Sequence, residues 1–391
     1  MERNSWQTIK LVMRREYKRL TRRPLYLFSM VVAPLFTVIF FTTLMSDGLP
    51  KDMPIGIVDL DNTATTRTIF RYLDAMEQTK IVKEYKTVRD ARKDLQRGRI
   101  YSFFYVPKGT TEDVLAFRRP KISFYTNYSY LMAGSLIYRD QKTMSELANA
   151  AVARALSRAY GKRDDNAVNE FSAISIESHI IGNPWMNYSI YLSNIIVPGI
   201  LSLLIFLTTI FAVGGELKFK TEREWMELSG GKISLALVGK LLPHLIIYTI
   251  VAIFIDIYFY SILGYPCKCG LPAMMLISLL FVLASMSFGL FLFGLISTLR
   301  LAMSVASLWG VVSFSISGMS FPVIAMSPIL RGLAMLFPLR HYYLIYTGMT
   351  LNGFSFTYVW QSIVALLIFC MLPFVVLKHL KTIVNRYEYI P

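Results

Sequence analysis

Residue types that carry enzyme chemistry are present in this chain of 391 residues, but their spacing forms no catalytic motif. A P-loop needs G-x-x-x-x-G-K-[ST], in which backbone N–H groups hold the phosphates and the last hydroxyl binds Mg²⁺. Gly231 and Lys232 imitate the end of that motif, yet Ile233 stands in the hydroxyl position and Met226 in that of the first glycine. No G-x-S-x-G nucleophile motif occurs. We therefore expect no catalytic residue, no ATP site and no enzyme activity in this chain alone.

Candidate metal ligands are scattered as well. The four histidines lack the spacing of a zinc site; they are His179, His244, His341 and His379. The oxygen-rich run Asp59–Thr63 could hold a cation, but a turn whose side-chain oxygen caps the next helix explains it better. Cys267-Lys268-Cys269 could form a strained disulfide or bind a metal, although two free or locally oxidised thiols are the default. No metal site and no cofactor is expected.

Asp256 is the one acidic residue inside a long apolar stretch. A charge at mid-bilayer costs about 2.5–3.5 kcal/mol, so such residues tend to be paired or functional. A proton relay is one interpretation. The favoured one is an interior-facing carboxylate with a nearby hydroxyl partner, for which Tyr248, Tyr258 and Tyr260 are candidates.

Hydropathy identifies the elements that must position these residues. Apolar residues make up 54% of the chain and charged residues 17%, and several uncharged stretches reach the ~20 residues that cross a bilayer. A soluble enzyme and a disordered or fibrous chain are therefore excluded. Six spans are predicted: Leu25–Met45 (within segment 24–45), Ile190–Val213, Leu241–Leu263, Leu271–Leu299, Leu301–Gly318 and Val359–Leu377. Pro34 is expected to kink the first span, and only Arg300 separates the fourth from the fifth, which predicts a very tight turn there.

The net charge of +16 is mainly a signal of topology. Eight Lys and Arg residues lie in the first 23 positions against two acids, which places the N-terminus in the cytoplasm and argues against nucleic-acid binding. Trp6, Ile9, Met13, Tyr17 and Leu20 share one helical face, so residues 1–23 are predicted to form an interfacial elbow helix. Six crossings return the tail, residues 378–391, to the cytoplasm, as expected for a multi-pass protein of the cell (inner) membrane.

The long polar segment 46–187 then lies outside the membrane. Strand-like runs at Pro54–Asp59, Ile81–Tyr85, Ile100–Val106 and Lys121–Thr126 alternate with helical stretches near 65–77, 87–97 and 109–117. A long helix at about 130–160 and an alternating run, Ser172–Ile181, follow. This pattern is typical of an α/β domain. The predicted fold class is an α-helical membrane protein: six transmembrane helices plus an extracytoplasmic α/β domain inserted between helices 1 and 2.

Two features of segment 188–377 bear on contacts with partner proteins. The cytoplasmic loop 214–240 contains a short helical run with Trp225, Met226 and Leu228, and exposed apolar anchors of this kind suggest docking to a partner. A loop helix lying in the membrane interface is the alternative. Ala302, Ala306 and Gly310 form a stripe of small residues, which is equally compatible with packing inside the chain and with a subunit interface.

Several segments, in order, resemble permeases of the ABC-2 type. The loop sequence Glu222-Arg223-Glu224-Trp225, followed by Gly239-Lys240-Leu241-Leu242-Pro243, is similar to the family's E-R-E and G-K-x-x-P segments. Val58–Thr63 and Leu95–Pro107 resemble its outer motifs, and residues 320–355 resemble an outer re-entrant hairpin. Trp225 departs from the Thr or Gly that is commoner after E-R-E. The resemblance extends over nearly the whole chain.

The resemblance implies an ABC exporter half with a large first extracytoplasmic domain. Its partners would be a dimer of cytoplasmic ABC ATPases carrying ATP and Mg²⁺, a second permease subunit in a homo- or heterodimer, and the lipid bilayer, with a periplasmic adaptor as an option. The resemblance implies that the following residues couple the permease to the ATPase: Glu222, Arg223, Glu224, Trp225, Met226, Glu227 and Leu228. It also implies that the outer re-entrant hairpin contains these functional residues: Phe321, Pro322, Arg331, Pro338 and Arg340. The substrate class expected from the resemblance is a lipid, a drug or another amphiphile.

The alternative is a membrane-anchored sensor or receptor whose external domain binds a ligand. It predicts a cytoplasmic signalling domain, whereas the predicted cytoplasmic segments are short. An integral-membrane enzyme is disfavoured because His, Asp and Ser do not cluster within the spans.

Overall fold

The computed structural model describes residues 5–44, 48–116, 118, 121–127, 129, 131–159 and 187–386. The chain divides into two compact units, Met1–Ser46 with Ile180–Pro391 and Asp47–His179. We call the first the helical unit and the second the α/β unit. The alternating run Ser172–Ile181 lies outside the described residues.

The elements alternate between strand and helix only in the α/β unit. In chain order they are α1 (Ser5–Arg22), α2 (Pro24–Leu44), β1 (Met53–Asp59), α3 (Ala64–Asp74), β2 (Thr79–Glu84), α4 (Val88–Gln96), β3 (Ser102–Val106), α5 (Thr110–Leu115), β4 (Ser123–Thr126), α6 (Leu131–Ala159), α7 (Tyr188–Lys218), α8 (Glu222–Leu228), α9 (Ile233–Ile262), α10 (Leu271–Leu295), α11 (Leu299–Ile316), α12 (Pro328–Ala334), α13 (Pro338–Ile345) and α14 (Phe356–Arg386). Within the described residues, six helices are long and apolar enough to cross a membrane: α2, α7, α9, α10, α11 and α14.

Helix ends depart from the hydropathy prediction where charged residues continue a helix. Helix α7 runs to Lys218 and α9 begins at Ile233, so only residues 219–232 of the predicted loop 214–240 separate these two helices. The prediction of a turn at Arg300 was wrong, because residues 296–298 form the turn and Arg300 lies inside α11. A long basic side chain can extend along its helix to a polar surface, so a charge does not have to end a span.

Proline 34 is accommodated by a change of helix type. A π-helical turn, Phe28–Val32, precedes Ala33–Leu44, where Pro34 is the second residue of the regular α-helical part. Proline removes the N–H that would complete an i→i−4 hydrogen bond, and a π-turn is one way a helix absorbs such an interruption. The predicted irregularity in this span is therefore a π-turn just before the proline.

Helix α1 packs on α9 through a different face from the apolar one. Its buried residues recur at every fourth position: Thr8, Val12, Glu16 and Leu20. A Cβ added to Gly239 of α9 would lie 2.8 Å from the Cβ of Val12, so only glycine allows this approach of the two helices. Trp6 and Tyr17, from the predicted apolar face, are 62% and 61% exposed. Leu20 of that predicted face is buried, whereas Trp6 and Tyr17 are not covered by the part of the chain that the structure describes.

Helix α7 lies at the centre of the helical unit and packs against α2, α10 and α11. A Cβ on Gly199 of α7 would come within 2.2 Å of the Phe314 ring of α11, and one on Gly310 within 2.5 Å of Leu203. Ala302 and Ala306 are fully buried in the same core. The stripe of small residues on α11 is therefore used for packing inside this chain.

The α/β unit contains a four-stranded sheet of order β2-β1-β3-β4. Strands β2, β1 and β3 are parallel, and β4 pairs antiparallel with β3. One face carries Ile55 and Phe104, which pack in one core with Phe70 of α3 and with α6, while Val58 and Phe103 belong to a core on the other face with α4. Because both faces are covered, β1 and β3 are apolar at nearly every position, as buried parallel strands are.

The acidic run after β1 caps helices. The Thr63 hydroxyl accepts a hydrogen bond from the Thr66 N–H at the start of α3, as part of a capping box. Asp61 accepts hydrogen bonds from the N–H groups of Gly109 (2.8 Å) and Thr111 (3.0 Å) at the start of α5. Slight burial acts to raise the pKa of Asp61, but the Thr111 hydroxyl and these amides outweigh it and hold that pKa below its usual value. The described residues contain no His/Cys/Asp/Glu group suited to a metal ion.

Candidate functional site

The sequence-predicted coupling segment forms one short helix, α8, held against the helical unit. It spans Glu222–Leu228 and contacts α1, α7, α9 and α14. Gly230 and Gly231 follow it with φ of 64° and 74°, a backbone conformation that glycine adopts at low cost. This double glycine reverses the chain into α9. Two short connections therefore fix α8 between the ends of α7 and α9.

The expectation that Trp225 and Met226 are exposed docking anchors was wrong. Trp225 is fully buried, and its indole Nε1 donates a hydrogen bond to the Ala236 carbonyl at 3.2 Å. Met226 is 8% exposed and belongs to the same core. An apolar side chain on a loop helix packs against its own chain when an apolar surface lies next to it. Here α9 provides that surface. The exposed residues of α8 are charged: Arg223, Glu224 and Glu227.

Beneath α8 lies a cluster of buried charges that we call the ion cluster: Arg15, Glu16, Arg19, Glu216, Lys240 and His244. Arg15 donates to both carboxylate oxygens of Glu216, at 2.8 and 3.0 Å, and Arg19 also pairs with Glu216. Two parallel N–H···O bonds of this kind fix orientation as well as charge. The Thr221 hydroxyl, just before α8, donates to Glu216 too.

Lys240 lies between two carboxylates and has no exposed surface. Its Nζ is 2.5 Å from Glu16 Oε2 and 2.5 Å from Glu216 Oε1. His244, one helical turn further along α9, places Nε2 3.1 Å from the other oxygen of Glu16. Burial acts to raise the pKa of Glu16, but the charge of Lys240 and the contact with His244 lower it to about 2. Glu16 is therefore ionised throughout the physiological pH range.

The ion cluster joins four helices. Its carboxylates come from α1 and α7 and its cations from α1 and α9, while Arg15 also reaches Glu224 of α8 at 3.3 Å. Removing one partner of a buried ion pair costs about 3–5 kcal/mol because the remaining charge stays desolvated. The ion cluster thus holds α1, α7 and α9 in one arrangement, and the Arg15–Glu224 pair links α8 to it.

Sequence reasoning did not identify the ion cluster. Glu16 stands among basic residues that the positive-inside rule already explains, and 224 positions separate it from Lys240. Lys240 itself was noticed only as part of a resembling motif. The one local signal is that Glu16 shares the i, i+4 stripe of Val12 and Leu20, where an acid facing a protein core requires a partner.

The predicted hairpin residues lie around α12 and α13. Phe321 is 51% exposed, and Pro322 immediately precedes the 3₁₀ turn Val323–Ala325. Arg331 donates to the Ile324 carbonyl at 2.9 Å, which closes this turn onto α12. Pro338 begins α13, whereas Arg340 is 8% exposed and donates to the Ser317 carbonyl at the end of α11 (3.4 Å). These residues organise one end of α11, and none of them contacts the ion cluster.

Asp256 is buried, at 3% exposure, and within the described residues no hydrogen bond joins it to the predicted tyrosines. Tyr248 pairs with Thr208 (2.8 Å), and Tyr260 donates to Asn194 (3.1 Å). Asp256 instead lines a cavity of about 20 Å³ together with Ser278 and Tyr342. Its Oδ2 has no hydrogen-bond partner within the described residues. A cavity of this size is large enough for about one water molecule.

The two thiols of the C-x-C pair remain unbonded, with Cys267 Sγ 3.9 Å from Cys269 Sγ. Cys269 also contacts the Thr350 hydroxyl at 3.4 Å. Burial raises the pKa of Cys267 to about 12, and the neighbouring Cys269 adds to the effect. Of the two default forms, free or locally oxidised, the structure contains the free thiols.

Residues 24–377 match the family model described as ABC-2 family transporter protein, which covers α2 to α14 and therefore nearly the whole chain. No curated protein matches.

Proposed function

Because the chain belongs to the ABC-2 family of transporters and is thus a transmembrane subunit of an ABC transporter, we propose that it is an export permease. ATP and Mg²⁺ bind to a separate cytoplasmic ATPase, whose hydrolysis drives the substrate outward. The ATPase forms a dimer, and a second permease subunit completes the transporter. Membership of a transporter family removes the support for a membrane-anchored sensor.

The proposed topology follows from charge. The basic residues of α1 precede the first span, so the positive-inside rule places α1 and α8 in the cytoplasm of a cell (inner) membrane. Both termini are then cytoplasmic, and the α/β unit is the extracytoplasmic domain inserted between α2 and α7. The proposed boundaries are those of the sequence: 1–23, 24–45, 46–187, 188–377 and 378–391.

The observation that carries the proposed coupling role is the two-sided character of α8. Its inner side is fixed by Trp225 and Met226, while its exposed residues are all charged: Arg223, Glu224, which also pairs with Arg15, and Glu227. Charged side chains at the rim of an interface determine register and partner choice. We assign this charged face to the ATPase dimer.

Closure of the ATPases would then move α8 together with α1, α7 and α9. The buried Trp225, hydrogen-bonded to Ala236 of α9, and the Arg15–Glu224 pair hold α8 to these helices. Movement of the cytoplasmic ends of α7 and α9 changes the path between the spans. At the other side, the hairpin of residues 320–355 and the α/β unit guide the exit of a lipid, a drug or another amphiphile.

A charge-swap experiment tests the docking face. In Arg223→Glu/Glu227→Lys the net charge is unchanged, and both side chains are exposed, so the melting temperature should stay within 2 °C of the wild type, roughly the effect of a ±0.5 kcal/mol surface change. Co-purification with the candidate ATPase and the stimulation of ATP hydrolysis should both be lost. The matched control is Arg92→Glu/Glu112→Lys on exposed positions of the α/β unit, which should leave both unchanged. Normal coupling in the first variant would refute the assignment.

A further inference from the structure

A groove runs between α1 and α9 on the side away from the ion cluster. It encloses about 760 Å³ and is open along its length. We call it the elbow groove; six residues that define it are Lys10, Leu11, Arg14, Tyr17, Ile246 and Ile247. Pockets of about 300–1,000 Å³ are of the size that hold small organic ligands.

The walls of the elbow groove are apolar and remain uncovered by this chain. Leu11 is 39% exposed, Ile246 47% and Tyr17 61%. Ile246 and Ile247 lie on α9, a helix apolar enough to span a membrane. Tyr17 belongs to the exposed apolar face of α1. Aromatic residues of this kind collect at the level of the lipid headgroups.

The rim carries two cations without protein partners. Lys10 and Arg14 are both exposed, and neither forms an ion pair with any residue in the part of the chain that the structure describes. Glu16, the acid on the same helix, faces the opposite side and is already paired with Lys240. The positive charge of this rim is therefore available to an external anion.

We propose that the elbow groove binds one anionic glycerophospholipid, with its phosphate at Lys10 and Arg14 and its acyl chains along Ile246 and Ile247. The inference rests on the cytoplasmic placement of α1 proposed above. Two adjacent unpaired cations complement a headgroup of net negative charge, whereas a zwitterionic headgroup would bring its own cation to the rim. Basic pockets beside spans on the cytoplasmic side attract anionic headgroups in this way.

The test compares phosphatidylglycerol with phosphatidylcholine. The full-length protein in neutral detergent is titrated with each lipid, and bound lipid is counted by native mass spectrometry. We expect one tightly retained phosphatidylglycerol per chain and weaker retention of phosphatidylcholine. Because each basic residue contributes about fivefold in affinity, Lys10→Gln/Arg14→Gln should lower phosphatidylglycerol affinity about 25-fold.

A matched control separates a site from diffuse attraction. Lys18→Gln/Arg22→Gln removes the same charge, at the same i, i+4 spacing, from exposed positions of α1 that do not line the elbow groove. Its phosphatidylglycerol affinity should fall by less than about fivefold, because neither side chain lines the groove and Lys18, one helical turn from Arg14, acts only through screened attraction. Ile246→Trp keeps every charge but fills the groove, and it should weaken retention of the lipid.

Three outcomes would overturn the proposal. Equal losses in the two charge-removal variants would show general surface attraction, and equal affinity for the two lipids would show no headgroup recognition. A change of oligomeric state in Ile246→Trp without loss of bound lipid would show that a second copy covers the groove. None of these experiments measures ATPase stimulation. The proposed coupling role and the proposed lipid site can therefore be refuted independently of each other.

Discussion

Lys240→Met is the substitution that most directly tests the ion cluster. Methionine keeps the length and apolar volume of the side chain but removes the one cation that contacts both Glu16 and Glu216 within the described residues. Glu216 retains Arg15 and Arg19, whereas Glu16 retains only His244. The uncompensated charge is therefore concentrated on Glu16.

The expected cost follows from the burial of all three groups. Lys240, Glu16 and Glu216 have side chains that are 0%, 1% and 0% exposed, so solvent cannot screen the charge left behind. Breaking a buried pair costs about 3–5 kcal/mol. At about 2–4 °C per kcal/mol for a folded unit of 150–250 residues, the melting temperature should fall by about 6–20 °C. Thermal unfolding in detergent, followed by tryptophan fluorescence, measures this change.

The double variant Glu16→Gln/Lys240→Met tells a charge effect from a packing effect. It contains no buried charge at Glu16, so it should be more stable than Lys240→Met alone. Coupled groups in contact show interaction energies of about 0.5–3 kcal/mol in such a cycle. The control Lys232→Met removes an exposed lysine eight residues earlier in the chain, and its stability should remain within about 0.5 kcal/mol of the wild type.

The pH dependence gives a second measure of the same carboxylate. The pKa of Glu16 is lowered to about 2 in the folded protein from an ordinary value of 4.5. The stabilisation that the Glu16 carboxylate contributes is therefore fully present above pH 4.5 and is lost as the pH falls toward 2. From pH 8 to pH 5, Glu16 is ionised in both the folded and the unfolded protein, so the difference in stability between wild type and Glu16→Gln should be constant. Below pH 5 this difference should shrink.

Additive effects in the double variant, or a Lys240→Met melting temperature equal to that of Lys232→Met, would refute the reasoning. A constant difference between wild type and Glu16→Gln down to pH 3 would do the same. If the ion cluster transmits motion, Lys240→Met should also lower ATPase stimulation at temperatures where it remains folded.

Other positions give independent predictions. Gly199→Ala should destabilise the protein by about 1–3 kcal/mol because its Cβ would lie 2.2 Å from Phe314; Gly332→Ala, with no atom within 4 Å of the added Cβ, should be neutral or slightly stabilising in the same melting assay. Asp256→Asn should leave transport into vesicles largely intact, and complete loss with normal folding would favour a proton relay. Asp61→Ala should destabilise the α/β unit by about 0.5–2 kcal/mol through loss of the cap, measured by proteolysis, and Ca²⁺ should not change the wild-type result.

The elements that the sequence predicts well are those with a local signal. Apolar length locates six helices, and the switch between period 2 and period 3.6 locates the strands and helices of the α/β unit. The predicted Pro54–Asp59 and Ile100–Val106 differ from β1 and β3 by one or two residues at their first positions. The helix from about 130 to 160 likewise corresponds to Leu131–Ala159. These features depend on neighbours in the chain and on little else.

Features that depend on tertiary partners were not predictable in the same way. Trp225 was expected to be exposed because its segment is short and charged, but α9 supplies both an apolar surface and the Ala236 carbonyl for its indole. The buried face of α1 contains Glu16 where the hydropathy pattern favours Trp6 and Met13. An acid becomes acceptable there only because Lys240 meets it from a distant part of the chain.

The distribution of interaction strength around α8 determines where the proposed transporter can bend. An exposed charged contact on its outer face contributes about 0–1 kcal/mol, while breaking a pair in the ion cluster costs about 3–5 kcal/mol. Helix α8 is held to α9 by the buried Trp225, and the ion cluster holds α9 to α1 and α7, so a force on the outer face should move α8, α1 and the nearby ends of α7 and α9 as one body. Bending is then expected at weaker points of the spans, and the π-turns Phe28–Val32 of α2 and Tyr258–Ile262 of α9 interrupt the regular hydrogen-bond ladder. Both lie outside the ion cluster, so the helices could change direction there while every buried charge keeps its partner.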